Sequence, residues 1–519
     1  MPDSAPRSQT AKAITEVGLF ASESLFVSFD FTRDQFNAAS AGYQTALHAG
    51  KSPEMPSEVK TYVHELTHYI HYITTPYGLF LQLCRKMQNR ATAAIVTALL
   101  RDGIPFNMPL LENLPDVSGK TAEEVNWGLS IWLNIENLVS MMHGDTDGRV
   151  QLTEAFVADM ARVKAGQRPK RPPLLDLHEA FVRVQESMAE YLVQVNAEAK
   201  AAGSPVPAEP EGFDRETLQQ EKAELPSRQT LGLVRGNDVF ELLGGHFFSV
   251  EAIIESAATA AEFWCSPISW DEFIAWVKMK VDPRLEIYRR CLTHGLESIQ
   301  TESVQEFILS FISLCELAFF SPVLPHYAAL RRQHSDFRQI LPSARWMELM
   351  RAASHVRPMI DLGDHDRYVL DTCRFLNWVH PTQMIRPTLD WPESMGDPLT
   401  TIYFWAQRWR AQSGSTFVGL NRRLFDPSPG GKMWRDMFDF VILDYADRTL
   451  YHPDKMFLEL MTTRELGRLG MRCIMLGKSL TISAPYRGDE DQRRWMTGWL
   501  RTFFKGVFGR DFPMLKVVA

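Results

Sequence analysis

Several features that would assign this chain to a large protein class are scarce or missing. Its 519 residues hold only six cysteines, Cys84, Cys265, Cys291, Cys315, Cys373 and Cys473. No two form a C-x-x-C pair, which excludes the usual thiolate metal sites and thiol-redox motifs. Scattered as they are, they read as buried thiols in a reducing compartment. There is no basic excess: 55 Lys and Arg face 63 Asp and Glu, a net charge of −8. That argues against nucleic acid as the main partner. The opening MPDSAPRSQTAKAITEVGLF has no apolar core between a basic start and a small-residue cleavage site, so a cytoplasmic location is expected. Long hydrophobic runs are also rare. The strongest, residues 307–324, is interrupted by Glu316 and Pro322 and suits a buried core helix better than a membrane span, so no transmembrane segment is expected. No G-x-S-x-G is present, which removes the serine-hydrolase elbow. In GMRCIMLGKS, at 470–479, six residues separate the glycines where a phosphate loop requires about four.

What remains is the composition of a folded protein, 45% apolar and 23% charged, with length for two or three domains. Residues 25–31 alternate, with Leu25, Val27, Phe29 and Phe31 on one side and Ser28 and Asp30 on the other, the pattern of a half-buried strand. After it the chain reads as helices separated by punctuation such as KAGQRPKRPP and AAGSPVPAEPEGF. The latter, at 201–213, is expected to be a mobile loop. Short strands are expected near 416–420 and 480–484. The fold class expected is mainly α (α+β), with a small N-terminal sheet. A metal-binding catalytic domain over 1–265 would precede a helical C-terminal domain over 266–519.

The chemistry concentrates in EVKTYVHELTHYIHYI, residues 58–73, preceded by Pro56 and Ser57 and closed by Thr74, Thr75 and Pro76. At about 100° per residue, His64 and His68 fall about 40° apart on one face, and Val59, Val63, Leu66, Ile70 and Ile73 fall on the other. Imidazoles one turn apart can both reach a zinc ion at about 2.0–2.1 Å. Glu65 projects to the side, where its carboxylate can contact a water without taking a metal position. The plain alternative is a solvated helix face that happens to carry histidines. With 14 histidines in the chain, a chance H-E-x-x-H would arise in roughly 2% of such sequences. His71 stands about 10 Å along the axis from His64, a position better suited to supporting the site or facing substrate than to being a third ligand.

This motif on an amphipathic helix resembles the zincin metallopeptidases. The metzincin extension H-E-x-x-H-x-x-G-x-x-H is broken twice, by His71 at its glycine and Thr74 at its last histidine. The resemblance is therefore to the gluzincin arrangement, in which a glutamate on a later helix completes the site. The stretch HELTHYIHYITTPYG is also similar to one in uncharacterised bacterial zincin-like proteins. Two Glu-Ser-x-Ala segments resemble the gluzincin third-ligand helix, Glu186-Ser187-Met188-Ala189 and Glu255-Ser256-Ala257-Ala258. Glu186 projects away from its helix's apolar stripe beside Glu179 and Glu190, as on a solvated face, although an acid one turn beyond it matches a gluzincin pattern that supports a histidine. Glu255 lies in an apolar helix on a narrow stripe with Glu251 and Glu262, where a carboxylate requires a counterpart. Metal would supply one, and Ser256, Ala257 and Ala258 would admit a neighbouring helix. Glu255 is preferred. Glu251 and Glu262 then become candidates to orient His64 or His68 through the remaining ring N–H. The other reading of this helix is a wet stripe of three acids.

The function expected from the resemblance is zinc-dependent hydrolysis of peptide bonds in a peptide or protein substrate. Zinc (Zn2+) would polarise the carbonyl and activate a water, with Glu65 as general base. An oxyanion donor is also needed, for which His246 and Tyr72 are candidates. The cytoplasmic setting suggests a regulatory protein partner that restrains activity. The alternative from another class is a non-catalytic helical interaction protein with a structural zinc or a relic site, which His71 as a fourth ligand would favour. Two further stretches have simple readings. DLGDHDRY, at 361–368, reads as a polar turn, with a second metal site as its alternative. RRWMTGWLRTFFKGVFGR, near the C-terminus, reads as a terminal helix with its aromatic stripe in the core and basic residues outside, with partner docking as the alternative.

Overall fold

The computed structural model describes residues 18–21, 26–50, 53–104, 119–143, 248–264, 268–279, 283–321, 341–386, 442–446, 450–451, 481–483, 490–509 and 516–518, with isolated positions elsewhere. Glu186, His246, Cys265, Cys473, the strand expected at 416–420 and all but the first residue of the 201–213 loop lie outside these. The described part is mainly α-helical.

The strand expected at 25–31 forms as β2 (Phe26–Phe29), with Val27, Phe29 and Phe31 buried and Asp30 exposed. It pairs antiparallel with β1 (Gly18–Ala21) and parallel with β3 (Ile442–Asp444), which pairs antiparallel with β4 (Leu450–Tyr451). This small sheet is therefore not an N-terminal property alone: two of its four strands come from the other end of the chain. Parallel pairing of β2 with β3 requires a long crossover, which local alternation cannot reveal. Near the C-terminus, β5 (Thr481–Ser483) pairs parallel with β6 (Lys516–Val518), matching the strand expected at 480–484.

Helix α1 (Arg33–His48) leads from the sheet to α2 (Ser57–Thr74), which carries the histidines. Thr75 ends α2 in an extended conformation and caps α3 (Pro76–Arg101), its hydroxyl accepting from the Gly78 N–H. The corner is tight: a Cβ on Gly78 would stand 1.6 Å from the Tyr72 carbonyl oxygen, so only glycine fits. Helix α4 (Gly119–His143) packs along α3. Helix α5 (Val250–Trp264) lies against α2 and against α8 (Val304–Phe319). Between them run α6 (Trp270–Lys278), a 3-10 turn at Pro283–Tyr288 and α7 (Arg290–Ser298). Helices α9 (Pro342–Ala353), α10 (His365–Leu376) and α11 (Pro381–Ile385) follow. One apolar cluster joins residues of β2, α2, α3, α5, α8 and α9, so buried contacts cross position 265.

Residues 307–319 of α8 are all buried in this core, and among the described residues no helix is long and apolar enough to cross a membrane. The terminal helix α12 (Glu490–Phe508) buries Leu500, Phe504 and Phe508 and exposes Arg501 and Lys505, as its periodicity predicts. Cys84, Cys291, Cys315 and Cys373 are buried free thiols, each pushed up in pKa chiefly by burial.

Candidate metal centre

The histidine face of α2 is not solvated. Helix α5 covers it, and Glu65, Thr67, His68, His71 and Thr74 are buried together with the apolar arc. A surface helix keeps its polar stripe in water, whereas α2 is packed on both faces. Ala258 lies on the Glu255–Glu262 face of α5 and is fully buried, and Ser256 donates to the Ile287 carbonyl of the 3-10 turn at 3.4 Å.

The packing of α5 on α2 brings Glu255 to the two histidines. Its Oε2 lies 3.1 Å from His64 Nε2 and 3.3 Å from His68 Nε2. The two rings stand nearly perpendicular, with centroids 4.8 Å apart. One ligand atom from each of His64, His68 and Glu255 can be chosen so that all lie within 4.8 Å of one another, the one such group among the described residues. Two donors at about 2.05 Å from an ion and separated by a tetrahedral angle stand about 3.3 Å apart. The observed N···O separations have that size, so His64, His68 and Glu255 have the spacing of a donor set for a small divalent cation.

Glu262, two turns beyond Glu255 on the same helix face, accepts from His64 Nδ1 at 2.7 Å. With Nδ1–H committed to that carboxylate, Nε2 is the nitrogen left to face Glu255. Burial opposes charge on His64, but hydrogen bonds and charge from Glu255 and Glu262 outweigh it and raise its pKa well above the ordinary value. Burial likewise opposes ionisation of Glu255. The nearby histidines outweigh it and hold the carboxyl below the usual carboxylate range.

The remaining candidates are dispersed. Glu65 is buried beside His64 on α2, 6% exposed. Glu251 is exposed in the first turn of α5, whose Val250, Ala252 and Ile253 are buried. His71 is 1% exposed, with Nδ1 2.9 Å from the Thr67 carbonyl and its ring 5.7 Å from that of Phe319. It therefore packs into the core rather than facing substrate, and it does not join the ligand group. Burial and the charge of His68 push its pKa down to about 3. Tyr72 is also buried, and its phenol interacts electrostatically with those of Tyr77 and Tyr403. The stretch 361–368 is a polar turn only in its first half: Asp361 accepts from the Gly363 N–H at 2.7 Å and Asp364 from the Ile360 N–H at 3.1 Å, whereas from His365 it is the first turn of α10, with His365 and Tyr368 buried.

Two features beside α2 have no signal in the sequence. Tyr288, at the end of the 3-10 turn, places its ring 6.0 Å from the His64 ring, although no motif surrounds it. At the C-terminal end of α2, buried Glu316 of α8 pairs with buried Arg410. Arg410 also donates to Thr74 Oγ1 at 3.3 Å, and Gln407 donates to the Thr75 carbonyl at 3.0 Å. A cavity lined in part by Glu316, His365, His380 and Arg410 adjoins this end of the helix, not the Glu255 end. No family model matches the chain, and no curated protein or solved structure gives a significant match.

Proposed function

We propose that the chain is a zinc-dependent peptidase of gluzincin-like type, in which His64, His68 and Glu255 hold the ion. The observation that supports this reading best is the convergence of both imidazole Nε2 atoms on one Glu255 oxygen, at 3.1 and 3.3 Å. Three protein ligands leave a fourth position open for substrate or water, as catalytic zinc sites do. Zinc, when bound, would supply Lewis-acid polarisation of the scissile carbonyl and a lowered pKa for water. The chain supplies the rest: Glu65 takes the proton from water and passes it to the departing amine nitrogen. Glu262 holds the His64 ring and its tautomer. Peptides or proteins are the proposed substrates, and a restraining protein partner in the cytoplasm belongs to the same proposal.

Elemental analysis of the purified protein beside His68→Ala, Glu255→Ala and Glu65→Gln, each also assayed on a mixed peptide library, tests this reading. About one zinc per chain is expected in the wild type, lost with His68→Ala and Glu255→Ala and kept in an inactive Glu65→Gln. No zinc in the wild type after reconstitution would overturn it. Zinc bound with no turnover would leave the non-catalytic alternative.

A further inference from the structure

We propose that the cavity at the C-terminal end of α2 binds a primary ammonium group on a short carbon chain, which donates hydrogen bonds to His365 Nε2 and to the Glu316 carboxylate. The site shares no residue with the His64, His68 and Glu255 cluster, so it stands or falls independently of the peptidase reading.

The cavity lies where α8, α10 and α11 meet Arg410, and its unanswered acceptors define the occupant. Glu316 is 2% exposed and pairs through Oε1 with Arg410, while its Oε2 has no hydrogen-bond partner among the described residues. His365 opens α10 and is 6% exposed, and its Nε2 likewise has no partner among the described residues. The other ring nitrogen, Nδ1, faces the Asp366 carboxylate at 3.5 Å. A neutral His365 ring therefore carries its proton on Nδ1 and presents a lone pair at Nε2. Buried acceptors without donors are costly, and a group with several N–H bonds answers both. The hydroxyls nearby are committed: Ser313 donates to the Leu309 carbonyl at 2.8 Å, and Thr382 Oγ1 lies 2.7 Å from His380 Nδ1.

Charge selects a cation. Two carboxylates, Glu316 and Asp366, line the cavity against the one guanidinium of Arg410. The Asp366 carboxyl is held below its ordinary range, chiefly by the hydrogen bond from His365, and burial lowers the pKa of His380, whose ring then adds no charge. Asp364 is already paired with Arg367 at 3.3 Å. One bound cation thus brings the cavity to neutrality. The helix ends do not reverse this: Asp366 lies in the first turn of α10, where it offsets the partial positive charge, and His380 Nδ1 accepts from the Thr382 N–H at the start of α11. The space admits little more than one water-sized group, which suits an ammonium head and is too small for a quaternary one. Apolar walls that include Phe320 and Val369 accept the short chain. A multidentate metal ion is not matched, because among the described residues only His64, His68 and Glu255 bring three ligand atoms together.

The test uses the full-length protein with isotope-labelled histidine, whose ring Cε1–H signals are followed by NMR during titration with methylammonium chloride. Sodium chloride, potassium chloride, tetramethylammonium chloride and sodium acetate at equal ionic strength are the comparisons. Methylammonium alone should shift the His365 and His380 signals saturably, with a dissociation constant of about 10 mM, near the best that two non-hydrogen atoms allow. His365→Phe keeps a ring in place but removes the acceptor, and read at His380 it should weaken binding about 10-fold or more. Asp366→Asn changes an exposed side chain, leaves the fold intact and should weaken binding about threefold, so it decides the matter alone if His365→Phe does not fold. A further titration with glycinamide separates the two sources of such a group: binding as tight as methylammonium assigns it to a peptide N-terminus, and none assigns it to a free small amine. The inference is overturned if methylammonium gives no saturable shift, or if potassium, tetramethylammonium or acetate gives the same one. It is equally overturned if the folded variants bind methylammonium as tightly as the wild type.

Discussion

Removing one partner of the Glu316–Arg410 pair should destabilise the protein far more than removing both. Glu316 is 2% exposed and Arg410 6%, and burial pushes the Arg410 guanidinium pKa down to about 9. The guanidinium also lies 4.5 Å over the Phe320 ring and bonds Thr74 at the end of α2. Glu316→Met would leave a desolvated cation without its counter-charge, and Arg410→Met a desolvated carboxylate. Each should cost about 3–5 kcal/mol. The double substitution puts two flexible apolar side chains of similar volume in the same space and should cost no more than about 2 kcal/mol, because neither charge is then left buried. The two single losses would exceed the double by about 4 kcal/mol or more, which a double-mutant cycle measures directly. Urea unfolding followed by tryptophan fluorescence and far-ultraviolet circular dichroism provides the assay. Single losses below about 1 kcal/mol would show the pair behaving as an exposed salt bridge, and a double loss equal to the sum would show no coupling. Either result refutes the reasoning.

Three further outcomes follow from the same geometry. Glu262→Ala should weaken zinc binding about 10- to 100-fold by releasing His64 Nδ1, and Glu262→Gln should weaken it less because the amide oxygen still accepts; chelator competition reads both, and unchanged affinity in Glu262→Ala would remove its orienting role. Gly78→Ala should be strongly destabilising, since its Cβ would meet the Tyr72 carbonyl at 1.6 Å; a thermal midpoint within about 1 °C of the wild type would be incompatible with so tight a corner. His71 has a folded pKa pushed down to about 3 against about 6.5 in an unfolded chain. Between these values the unfolded state binds the extra proton, so the stability from neutral His71 is complete above about pH 6.5 and is lost as pH falls toward 3. The slope approaches about 1.4 kcal/mol per pH unit, and a His71→Asn variant with an equally steep dependence of its urea midpoint between pH 6 and 4 would exclude this origin.

Much of the site was legible because its parts are short-range. The His64–His68 spacing, the lateral placement of Glu65 and the opposing apolar arc depend only on helical periodicity, and α2 forms over Ser57–Thr74 as that periodicity predicts. Glu255 could be preferred over Glu186 because a carboxylate in an apolar helix needs compensation, and Ala258, on the same face of α5 as Glu255, is buried. Local sequence does not encode which atoms meet where α5 packs on α2. Of the three acids on α5, Glu255 reaches both histidines, Glu262 reaches His64 from the other side, and Glu251 is exposed. The relative rotation and offset of two helices decide this.

By itself the sequence determined the helical class, the strand at β2, the core role of α8, the inward aromatic face of α12 and the histidine pair, all from periods of two or about 3.6 residues. Tertiary structure alone decided that β3 and β4 join β1 and β2, because strand pairing between distant segments has no local signature. It also decided that the histidine face is buried, that His71 enters the core, and that Arg410 and Glu316 meet at the end of α2. The ring of Tyr288 reaches His64 from a turn with no motif. Each of these depends on how one helix packs against another, which is set by the summed contacts of many side chains rather than by the spacing of a few.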